Sequence, residues 1–508
     1  MAKRTAIIDI GSNSARLVVF EKTSHYGFHV ICEQKSKVRI GEGGYEKGGY
    51  LQPFAIKRAF LALQSFTHTI AKYQAHKTIC VATSALRDAP NGEIFVKWIK
   101  KELDISIKII DGNKEAVYGA IAAKNLLPLQ DGITIDIGGG SSDMALIKKG
   151  RIIDTYSLNL GTVRLKELFF DQSYDRNTIQ KKATAYVSKE LDKLPGHFKH
   201  PLAIGIGGTT RSLSKGIMKR TEHPLDKLHA FTYRLKDHKA YLKAIPLSSV
   251  KSLKDFELKK NRYDTIREGT LIFNEILKRI EAKEVITSGV GVREGVYLEQ
   301  ALKQENLSYP KDINPSLTSI LDRFKPYVTI EKRKKHTLHI ATSLYKALQG
   351  EMKDDLRYKN EIRWALRLSS IGNTLTIYKA HQTAFYIAMQ ELNYGFTQEE
   401  MLLVSMLLRM HGKNLLNKPL FENFKPMLPP KETLLWLSFI YTLTLFLTEA
   451  SNEAKINFQF KDSTLYIRSD KPLYLAQENI KKLEKPIPFA IILQDAEKLP
   501  KNRDLGIV

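Results

Sequence analysis

The sequence predicts two duplicated α/β domains, followed by an all-helical domain and a small α/β subdomain. Three observations carry this prediction. A motif of strand, Asp-Gly turn and strand occurs twice; apolar strands alternate with helix-periodic segments through about the first 300 residues; and helical periodicity then replaces that alternation. A chain of 508 residues also exceeds what one hydrophobic core serves, so several domains are expected.

The repeated motif is the most informative feature of the chain. Ala6–Phe20 reads AIIDIGSNSARLVVF and Ile133–Ile147 reads ITIDIGGGSSDMALI, with Asp9 and Asp136 in register at a constant spacing of 127 residues. Each copy predicts a β-hairpin with a tight turn. An ordinary structural turn explains one such copy, whereas two copies in one register favour a shared functional role.

The chemistry of these turns suits phosphate. Glycine lacks Cβ, so its backbone can adopt positive φ and approach a ligand closely. Successive backbone N–H groups then form an anion-binding nest, to which serine hydroxyls add donors. The predicted phosphate-binding residues are Gly11, Ser12, Asn13 and Ser14 in the first turn, and Gly138, Gly139, Gly140 and Ser141 in the second.

Acidic residues accompany the two turns. A carboxylate beside phosphate is repulsive unless it holds a cation, so Asp9 and Asp136 are predicted to bind Mg²⁺ or another divalent cation, directly or through water. The copies differ at one informative position, where Arg16 in the first corresponds to Asp143 in the second. We expect Arg16 to add positive charge for phosphate and Asp143 to be a further metal carboxylate.

Two more glycine-rich turns follow predicted strands. The segment Ala203–Arg211 reads AIGIGGTTR and supplies Gly207, Gly208 and Thr209 as candidate phosphate-binding residues. The segment Ser288–Gly295 reads SGVGVREG. Each motif is a weak signal alone. Strand, glycine turn and helix in repetition is nevertheless how open α/β sheets place ligand loops at strand ends.

A carboxylate is predicted between the two hairpins. In the segment DGNKEAVYG a helix begins after a strand, and Asp111 or Asn113 can cap it. Glu115 lies in the first helical turn, where a carboxylate is favourable for purely structural reasons. It can also orient a water and accept its proton, so we predict Glu115 as the catalytic base. Arg87, in the turn TSALRDAPN, can bind phosphate oxygens in a bidentate manner.

Periodicity divides the chain into four parts: 1–127, 128–305, 306–453 and 454–508. The first has predicted strands Thr5–Ile10, Leu17–Glu21, Phe28–Lys37, Lys77–Ala82 and Ile105–Ile110, and helices Pro53–Lys72 and Gly92–Leu103. The second has predicted helices near Thr162–Phe170, Asn177–Leu194 and Ile266–Glu281. The third is helical, and the fourth has predicted strands Ile456–Phe460, Thr464–Arg468 and Phe489–Leu493 with a helix at Leu475–Leu483.

Charge favours anionic partners. The formal net charge is +25 and the isoelectric point is near 9.6. Such a field attracts polyphosphate, nucleotides, nucleic acid or acidic membranes, although a solvated lysine-rich surface explains it equally. A specific nucleic-acid site is not expected, because basic and aromatic residues do not interleave and no known binding module stands out.

The remaining composition predicts a cytoplasmic location. Cys32 and Cys80 form no CxxC pair and are expected to be reduced thiols, and the N-terminus enters a strand directly rather than a signal peptide. The uncharged segment Thr433–Thr448 is 16 residues long, shorter than the roughly 18–20 needed to span a bilayer. The segment therefore predicts a buried helix or a subunit interface and no membrane partner. We expect the protein to be a homodimer.

Taken together, six motifs resemble the exopolyphosphatase/guanosine pentaphosphate phosphohydrolase family. They are DIGSNSARL (9–17), TSALRDAPN (83–91), GNKEA (112–116), DIGGGSSD (136–143), GIGGTT (205–210) and SGVGVREG (288–295). The resemblance implies two domains of the actin-like (ribonuclease H-like) phosphotransferase fold around an active cleft. It implies release of terminal phosphate from inorganic polyphosphate and, in some members, conversion of guanosine pentaphosphate to tetraphosphate.

The resemblance also assigns residues. The catalytic carboxylate of the family falls on Glu115, and its metal-linked acids fall on Asp136 and Asp143. Two departures stand out, since the family usually has Glu at the position of Asp143 and often has Glu at the position of Lys114. The shorter Asp143 is expected to alter the distance to a metal or its hydration.

The helical region resembles an HD-type metal phosphohydrolase domain whose metal site is degraded. His336 falls at the first metal-ligand position and His411 persists, but Ser369 and Ser370 stand where the His-Asp pair belongs. Serine hydroxyls do not replace that pair as ligands. The resemblance therefore implies a domain that accommodates a long anionic chain rather than a second metal centre.

Two other functions are compatible with the sequence. An ATP-dependent sugar or acetate kinase shares the actin-like fold and would use the same turns, with GIGGTT as an adenosine loop. A polyphosphate or alarmone sensor would bind without turnover. The sequence does not rank polyphosphate against guanosine pentaphosphate as substrate.

Overall fold

The computed structural model describes residues 3–44, 48–173, 175–328, 331–352, 356–411, 418–449 and 454–494. The chain divides into two compact units. The first is Met1–Ser319 with Tyr394–Thr397, and the second is Ile320–Asn393 with Gln398–Val508.

The first sheet of the first unit has the strand order β3-β2-β1-β4-β5. Strand β1 pairs antiparallel with β2 and parallel with β4. The strands are β1 (Arg4–Ile10), β2 (Ala15–Lys22), β3 (Phe28–Ser36), β4 (Lys77–Ala82) and β5 (Ile107–Ile109), and the helices are α1 (Pro53–Lys72), α2 (Ser84–Arg87), α3 (Gly92–Leu103) and α4 (Gly112–Leu126).

Both faces of this sheet are covered, which explains the unbroken apolar run of β1. On one face, Ile8 and Ile10 pack in a core with Leu63 of α1 and Ile99 of α3. On the other, Ile7 joins a separate core that includes residues of α4. Strands buried on both faces read as continuous hydrophobic runs rather than alternating ones.

The second sheet has the order β10-β11-β9-β6-β7-β8. Its strands are β6 (Gly132–Ile137), β7 (Ser142–Lys148), β8 (Arg151–Leu158), β9 (Leu202–Ile206), β10 (Thr232–Arg234) and β11 (Glu284–Thr287). Its helices are α5 (Thr162–Leu165), α6 (Arg176–Leu191), α7 (Gly207–Arg220), α8 (Leu235–Leu247), α9 (Ile266–Arg279) and α10 (Val292–Ala301), and a π-helical turn, Lys166–Phe170, follows α5.

The two sheets are duplicates. Strands β8-β7-β6-β9-β11 repeat the order β3-β2-β1-β4-β5, with three antiparallel strands followed by two parallel neighbours in each. Across the first hairpin Asp9 pairs with Arg16, and across the second Asp136 pairs with Asp143 in the equivalent register. This is the topology of the actin-like fold, so the predicted duplication and fold class of this region are confirmed.

The element boundaries differ from the predicted ones only at their ends. Strand β5 is three residues long instead of six, and α6 stops at Leu191. The helix predicted over Thr162–Phe170 is the short α5 continued by the π-helical turn. Helix α4, the last element of the predicted first domain, packs against α10 and against β7 and β8 of the second sheet.

The second unit is mainly helical. Its boundary falls within α11 (Pro315–Arg323), and it continues with α12 (Glu331–Met352), α13 (Lys359–Leu368), α14 (Ala380–Glu391), α15 (Gln398–Arg409), α16 (Lys418–Phe424) and α17 (Lys431–Glu449). A small sheet of order β12-β13-β14 follows, with β12 (Ile456–Lys461), β13 (Thr464–Ser469), α18 (Tyr474–Ile480) and β14 (Ala490–Gln494).

Helix α17 contains the uncharged segment Thr433–Thr448. Its Leu437, Ile440 and Leu443 are buried within the second unit, so the segment is a core helix, one of the two predicted readings. Among the residues that the structure describes, no helix is long and apolar enough to cross a membrane. The homodimer stays a prediction, and these side chains are not available to it as an interface.

Candidate active site

The turns of the two hairpins have the same internal hydrogen bond. The Gly11 amide donates to the carbonyl oxygen of Ser14 (3.1 Å), and the Gly138 amide donates to that of Ser141 (2.9 Å). The turns also touch, because a Cβ built on Gly139 would lie 2.5 Å from the Cβ of Ser12. Only glycine permits this approach.

A cleft of about 140 Å³ opens where the two turns meet. It brings together most of the residues that the sequence predicted for the site, from four separate loops. The predicted residues that line it are Asp9, Gly11, Ser12, Asn13, Ser14, Arg16, Glu115, Asp136, Gly138, Gly139, Ser141, Gly207, Gly208 and Thr209.

Three predicted residues do not line this cleft: Arg87, Gly140 and Asp143. The Arg87 guanidinium donates to the carbonyl oxygen of Ile110 (3.1 Å) and lies 3.4 Å from Asp88. These contacts use only part of the guanidinium, so the role of Arg87 as a phosphate ligand stays a prediction. The Gly140 carbonyl accepts a hydrogen bond from Arg164 (3.0 Å), which holds the turn from outside.

Glu115 lies in the first turn of α4, but it does not cap that helix. Asp111 is the cap, since its Oδ1 accepts a hydrogen bond from the Lys114 amide at 2.7 Å. Within the described part of the chain, the buried Oε2 of Glu115 has no hydrogen-bond partner. A buried carboxylate oxygen without a partner is costly for stability alone and is typical of a site that binds a ligand or water.

The neighbouring acids change the acidity of Glu115. Burial raises its pKa well above the usual range, and repulsion from Asp143, Asp136 and Asp9 raises it further. Burial also raises the pKa of Asp136 to about 6, although the positive charge of Arg211 opposes this rise. Displaced pKa values of this kind concentrate at functional sites, so this cleft is the candidate active site of the chain.

Asp143 occupies a supporting position beside the cleft. Its carboxylate accepts hydrogen bonds from the hydroxyls of Ser141 (3.0 Å) and Ser157. Burial raises its pKa to about 7, which these hydrogen bonds oppose. Gly112 is needed here, because a Cβ on it would lie 2.0 Å from Ser157 Oγ. The structure thus places Asp143 against Ser141 of the hairpin turn and Ser157 of β8, and not among the cleft-lining residues.

The acidic residues predicted to bind a metal lie partly in the cleft and partly beside it. In the described ranges, no three His, Cys, Asp or Glu side chains converge as a complete metal site, so Asp9, Asp136 and Asp143 are not a preformed triad. Asp9 and Asp136 both line the cleft. Mg²⁺ is usually held by one or two carboxylates with water and substrate phosphate completing the octahedron. These two residues therefore fit a magnesium ion shared with a phosphorylated substrate.

Arginines from three further segments line the cleft together with Arg16, and they were not predicted from the sequence as site residues. They are Arg211 of α7, Arg262 and Arg293 of α10. Arg211 donates to the carbonyl oxygens of Ser288 (2.8 Å) and Val290 (3.0 Å).

The arginines of the cleft lie close enough for their positive charges to repel one another. Burial lowers the pKa of Arg211 to about 10, and repulsion by Arg293 and Arg16 lowers it further. One carboxylate, Glu33, pairs with Arg293 at 2.7 Å and lies 3.9 Å from Arg16. An anion in the cleft would relieve the repulsion between the arginines.

Ion pairs connect the two α/β domains at the cleft. Lys37 and Arg39, from the segment after β3, both contact Asp264 of the second domain at 2.8 and 2.6 Å. Arg164 of the second domain contacts Asp88 of the first at 3.0 Å. These pairs bridge the two domains on both sides of the site.

Lys114 stands where the family often has Glu, and its contacts show the role of the side chain in this protein. Its ammonium group pairs with Glu299 of α10 and lies 4.8 Å from the centre of the Tyr118 ring. The side chain therefore joins α4 to α10 outside the cleft. The replacement of an acid by Lys114 leaves the cleft lining unchanged.

The fold and the cleft define an actin-like protein with a duplicated phosphate-loop architecture. The model of the Ppx/GppA phosphatase family matches residues 18–304, more than half of the sequence. The chain belongs to the Ppx/GppA phosphatase family.

Individual relatives agree with this assignment. The chain is 31% identical over 299 residues to a bifunctional 3-dehydroquinate synthase/phosphatase of Fusobacterium nucleatum, a match that covers 56% of this chain and 44% of that protein. It thus spans less than half of this curated relative. A crystal structure of the Aquifex aeolicus Ppx/GppA family member is 27% identical with a TM-score of 0.51, covering 60% of this chain and 99% of that one.

A second solved structure supports the fold alone. An exopolyphosphatase from Cytophaga hutchinsonii is 23% identical with a TM-score of 0.55, covering 60% of this chain and 100% of that chain. Both structural matches are about as long as the first unit.

Proposed function

We propose that this chain is a phosphohydrolase that releases terminal orthophosphate from inorganic polyphosphate and also converts guanosine pentaphosphate to the tetraphosphate. The observation that carries the proposal is Glu115, which lines the cleft together with both glycine turns and whose buried Oε2 has no hydrogen-bond partner among the described residues. Family membership and the similarity to a bifunctional synthase/phosphatase and to an exopolyphosphatase support the same reaction class.

In the proposed reaction, the terminal phosphate binds among the backbone amides of residues 11–14, 138–141 and 207–209. The arginines of the cleft neutralise its oxygens. Glu115 accepts a proton from water as the water oxygen attacks phosphorus in line, and the anhydride P–O bond to the rest of the chain breaks. The products are orthophosphate and a polyphosphate shorter by one unit. Positioning and charge stabilisation supply most of the catalysis in such reactions.

We propose Asp9 and Asp136 as the residues that hold Mg²⁺ or another divalent cation. When bound, the ion supplies positive charge that stabilises the transferring phosphoryl oxygens. The carboxylates on this side of the cleft have raised pKa values because they are buried together. A general base must be ionised to act, so nearby cationic charge favours the active form of Glu115.

For the second unit we propose an HD-like helical domain without a metal centre and a small C-terminal α/β subdomain. Ser369, Ser370 and His411 line one cavity, as expected if they descend from one site. Serine hydroxyls in place of the His-Asp pair give a poor ligand set for a catalytic metal.

An assay of orthophosphate release tests the proposed function directly. Long polyphosphate, short polyphosphate, guanosine pentaphosphate and ATP with sugar or acetate acceptors are incubated separately with the protein and Mg²⁺. The proposal expects release from polyphosphate or guanosine pentaphosphate with water as sole acceptor. Phosphate transfer from ATP to an acceptor would indicate a kinase instead, and binding without release would indicate a sensor.

A further inference from the structure

A second cavity, of about 610 Å³, lies entirely within the second unit. We call it the helical-domain cavity. It is lined by residues of α12, α13, α14, α17 and α18, by the segment between α13 and α14, and by His411. Its volume is in the range of sites that hold small organic ligands.

Two cations and one carboxylate are among the described residues that line the helical-domain cavity. Arg367 and Lys379 line it, as do His381 and His411, and Glu449 is the one carboxylate among the described lining residues. Burial lowers the pKa of His381, and the nearby charges of Arg409 and Lys379 lower it further. His381 is therefore neutral, and the two cations Arg367 and Lys379 leave an excess of positive charge that favours an anionic ligand.

The start of α14 adds to this field. Helix α14 is 12 residues long, and its cap Lys379 and first residues Ala380 and His381 line the cavity. The N-terminal end of a helix carries a partial positive charge and presents backbone amides that suit phosphate oxygens. The cation cluster and the helix start therefore point to the same ligand group.

Apolar residues also line the helical-domain cavity. Leu338, Leu366, Leu445 and Phe446 contribute to it, together with Ile377. Ile377 is 74% exposed. A bare phosphate gains nothing from such a wall.

Two neighbours of Ile377 share this exposure. Leu375 is 78% exposed and Tyr378 is 79% exposed, so the segment presents three large apolar side chains beside the cavity. Clustered exposed apolar residues at the rim of a pocket are typical of ligand-binding sites. A ligand with both a phosphate and a flat apolar group would use the two kinds of wall.

We propose that the helical-domain cavity binds a nucleoside phosphate, with the phosphate at Arg367, Lys379 and the start of α14, and the base against the apolar wall. The proposal is independent of the reaction in the cleft of the first unit. It assigns to the second unit a small-molecule site where metal chemistry is not expected.

Calorimetric titration of the full chain with GDP, ADP and inorganic pyrophosphate tests this. The variants are Arg367→Gln and Lys379→Gln, with Arg363→Gln as the matched control, since Arg363 is exposed one turn earlier on α13 and does not line the cavity. We expect either cavity variant to weaken nucleotide binding about 10-fold, the loss of one charged contact, and the control to bind like the parent chain. Lys379 is exposed, so its variant remains informative if Arg367→Gln fails to fold.

Two further variants distinguish binding of the base from binding of the phosphate, and binding in this cavity from binding in the cleft of the first unit. Ile377→Ser should weaken binding of GDP or ADP but leave pyrophosphate unchanged, because it removes only apolar wall. Arg262→Gln, in the cleft, should leave this nucleotide binding intact. Parent-like affinity in both Arg367→Gln and Lys379→Gln, pyrophosphate binding as tight as that of the nucleotides, or loss of binding only in Arg262→Gln would each overturn the proposal.

Discussion

Gly139 of the second hairpin turn packs directly on Ser12 of the first, so closely that a Cβ at Gly139 would lie 2.5 Å from the Cβ of Ser12. Two turns 127 residues apart in sequence thus form one continuous lining of amides and hydroxyls. The contact joins the two α/β domains at the floor of the candidate active site. It links the duplicated sequence motif to a single surface of the cleft, where we propose that phosphate binds.

Gly139→Ala should separate the two turns. A Cβ at 2.5 Å must displace backbone or Ser12, and such overpacking costs about 1–3 kcal/mol. We expect KM for polyphosphate to rise at least about 10-fold, which corresponds to about 1.4 kcal/mol of lost binding. Gly196→Ala is the matched control, because nothing lies within 4 Å of a Cβ there. Equal KM values in the two variants would contradict the role of this contact.

Arg262→Gln should weaken substrate binding more than the chemical step. Arg262 lines the cleft and lies against the Gly207–Gly208 turn, where a Cβ on Gly208 would be 2.1 Å from its guanidinium. We expect a rise in KM of about 10-fold and a shallower dependence of KM on salt, because one charged contact is lost. Arg151→Gln, an exposed change on β8, should alter neither. Steady-state assays across salt concentrations check this, and an unchanged KM would refute it.

Lys35 should make substrate binding sensitive to alkaline pH, because it pairs on β3 with Arg16 of β2, which lines the cleft. Partial desolvation, and then repulsion from Arg16 and Arg262, lowers its pKa to about 8. The ammonium is therefore charged below pH 8 and loses its charge as the pH rises through that value. We expect kcat/KM for polyphosphate to fall above pH 8, and Lys35→Arg to move that fall to higher pH. Lys37→Arg, two residues along, should retain the pH profile of the parent chain. Identical pH profiles for the parent chain and both variants would exclude Lys35 as the group responsible for the fall.

Glu268 should make the fold less stable as the pH rises. It is 0% exposed on α9, and both carboxylate oxygens lack hydrogen-bond partners among the described residues. Burial raises its pKa from 4.5 to about 7. The folded state therefore binds more protons than the unfolded state between these values, and the free energy of unfolding falls over that window by about 3 kcal/mol.

Glu268→Gln should remove this loss. We expect the variant to be more stable than the parent chain above pH 7 and to depend less on pH between 4.5 and 7. Glu284→Gln, an exposed change on β11, is the control. Urea unfolding at several pH values measures the effect. A steeper loss of stability with pH in Glu268→Gln than in the parent would have the wrong sign for this explanation.

The duplicated turns could be predicted from sequence because glycine and serine requirements are local. Asp9 pairs with Arg16 and Asp136 pairs with Asp143 across their hairpins, and this common register follows directly from the aligned repeats. The position of Glu115 followed from strand order, since the loops at the ends of parallel strands meet at one sheet edge.

The rest of the site depends on long-range packing. Arg211 and Arg293 directly follow glycine turns, a signal that could have identified them, whereas Arg262 lies in a short 3₁₀ turn with no local pattern. Arg87 has the residue type for phosphate but is held by the carbonyl of Ile110. A side chain's partner is set by tertiary contacts that one sequence does not display.

The most direct test of the central claim is single-turnover release of orthophosphate from polyphosphate by Glu115→Gln. The substitution keeps the shape of the side chain but removes the proton acceptor. We predict a loss of about 10²–10⁴-fold in rate, with polyphosphate affinity within about twofold of the parent chain. Asn113→Ala, an exposed change in the same helical turn, should retain full activity. Release by Glu115→Gln at the parent rate would contradict the account.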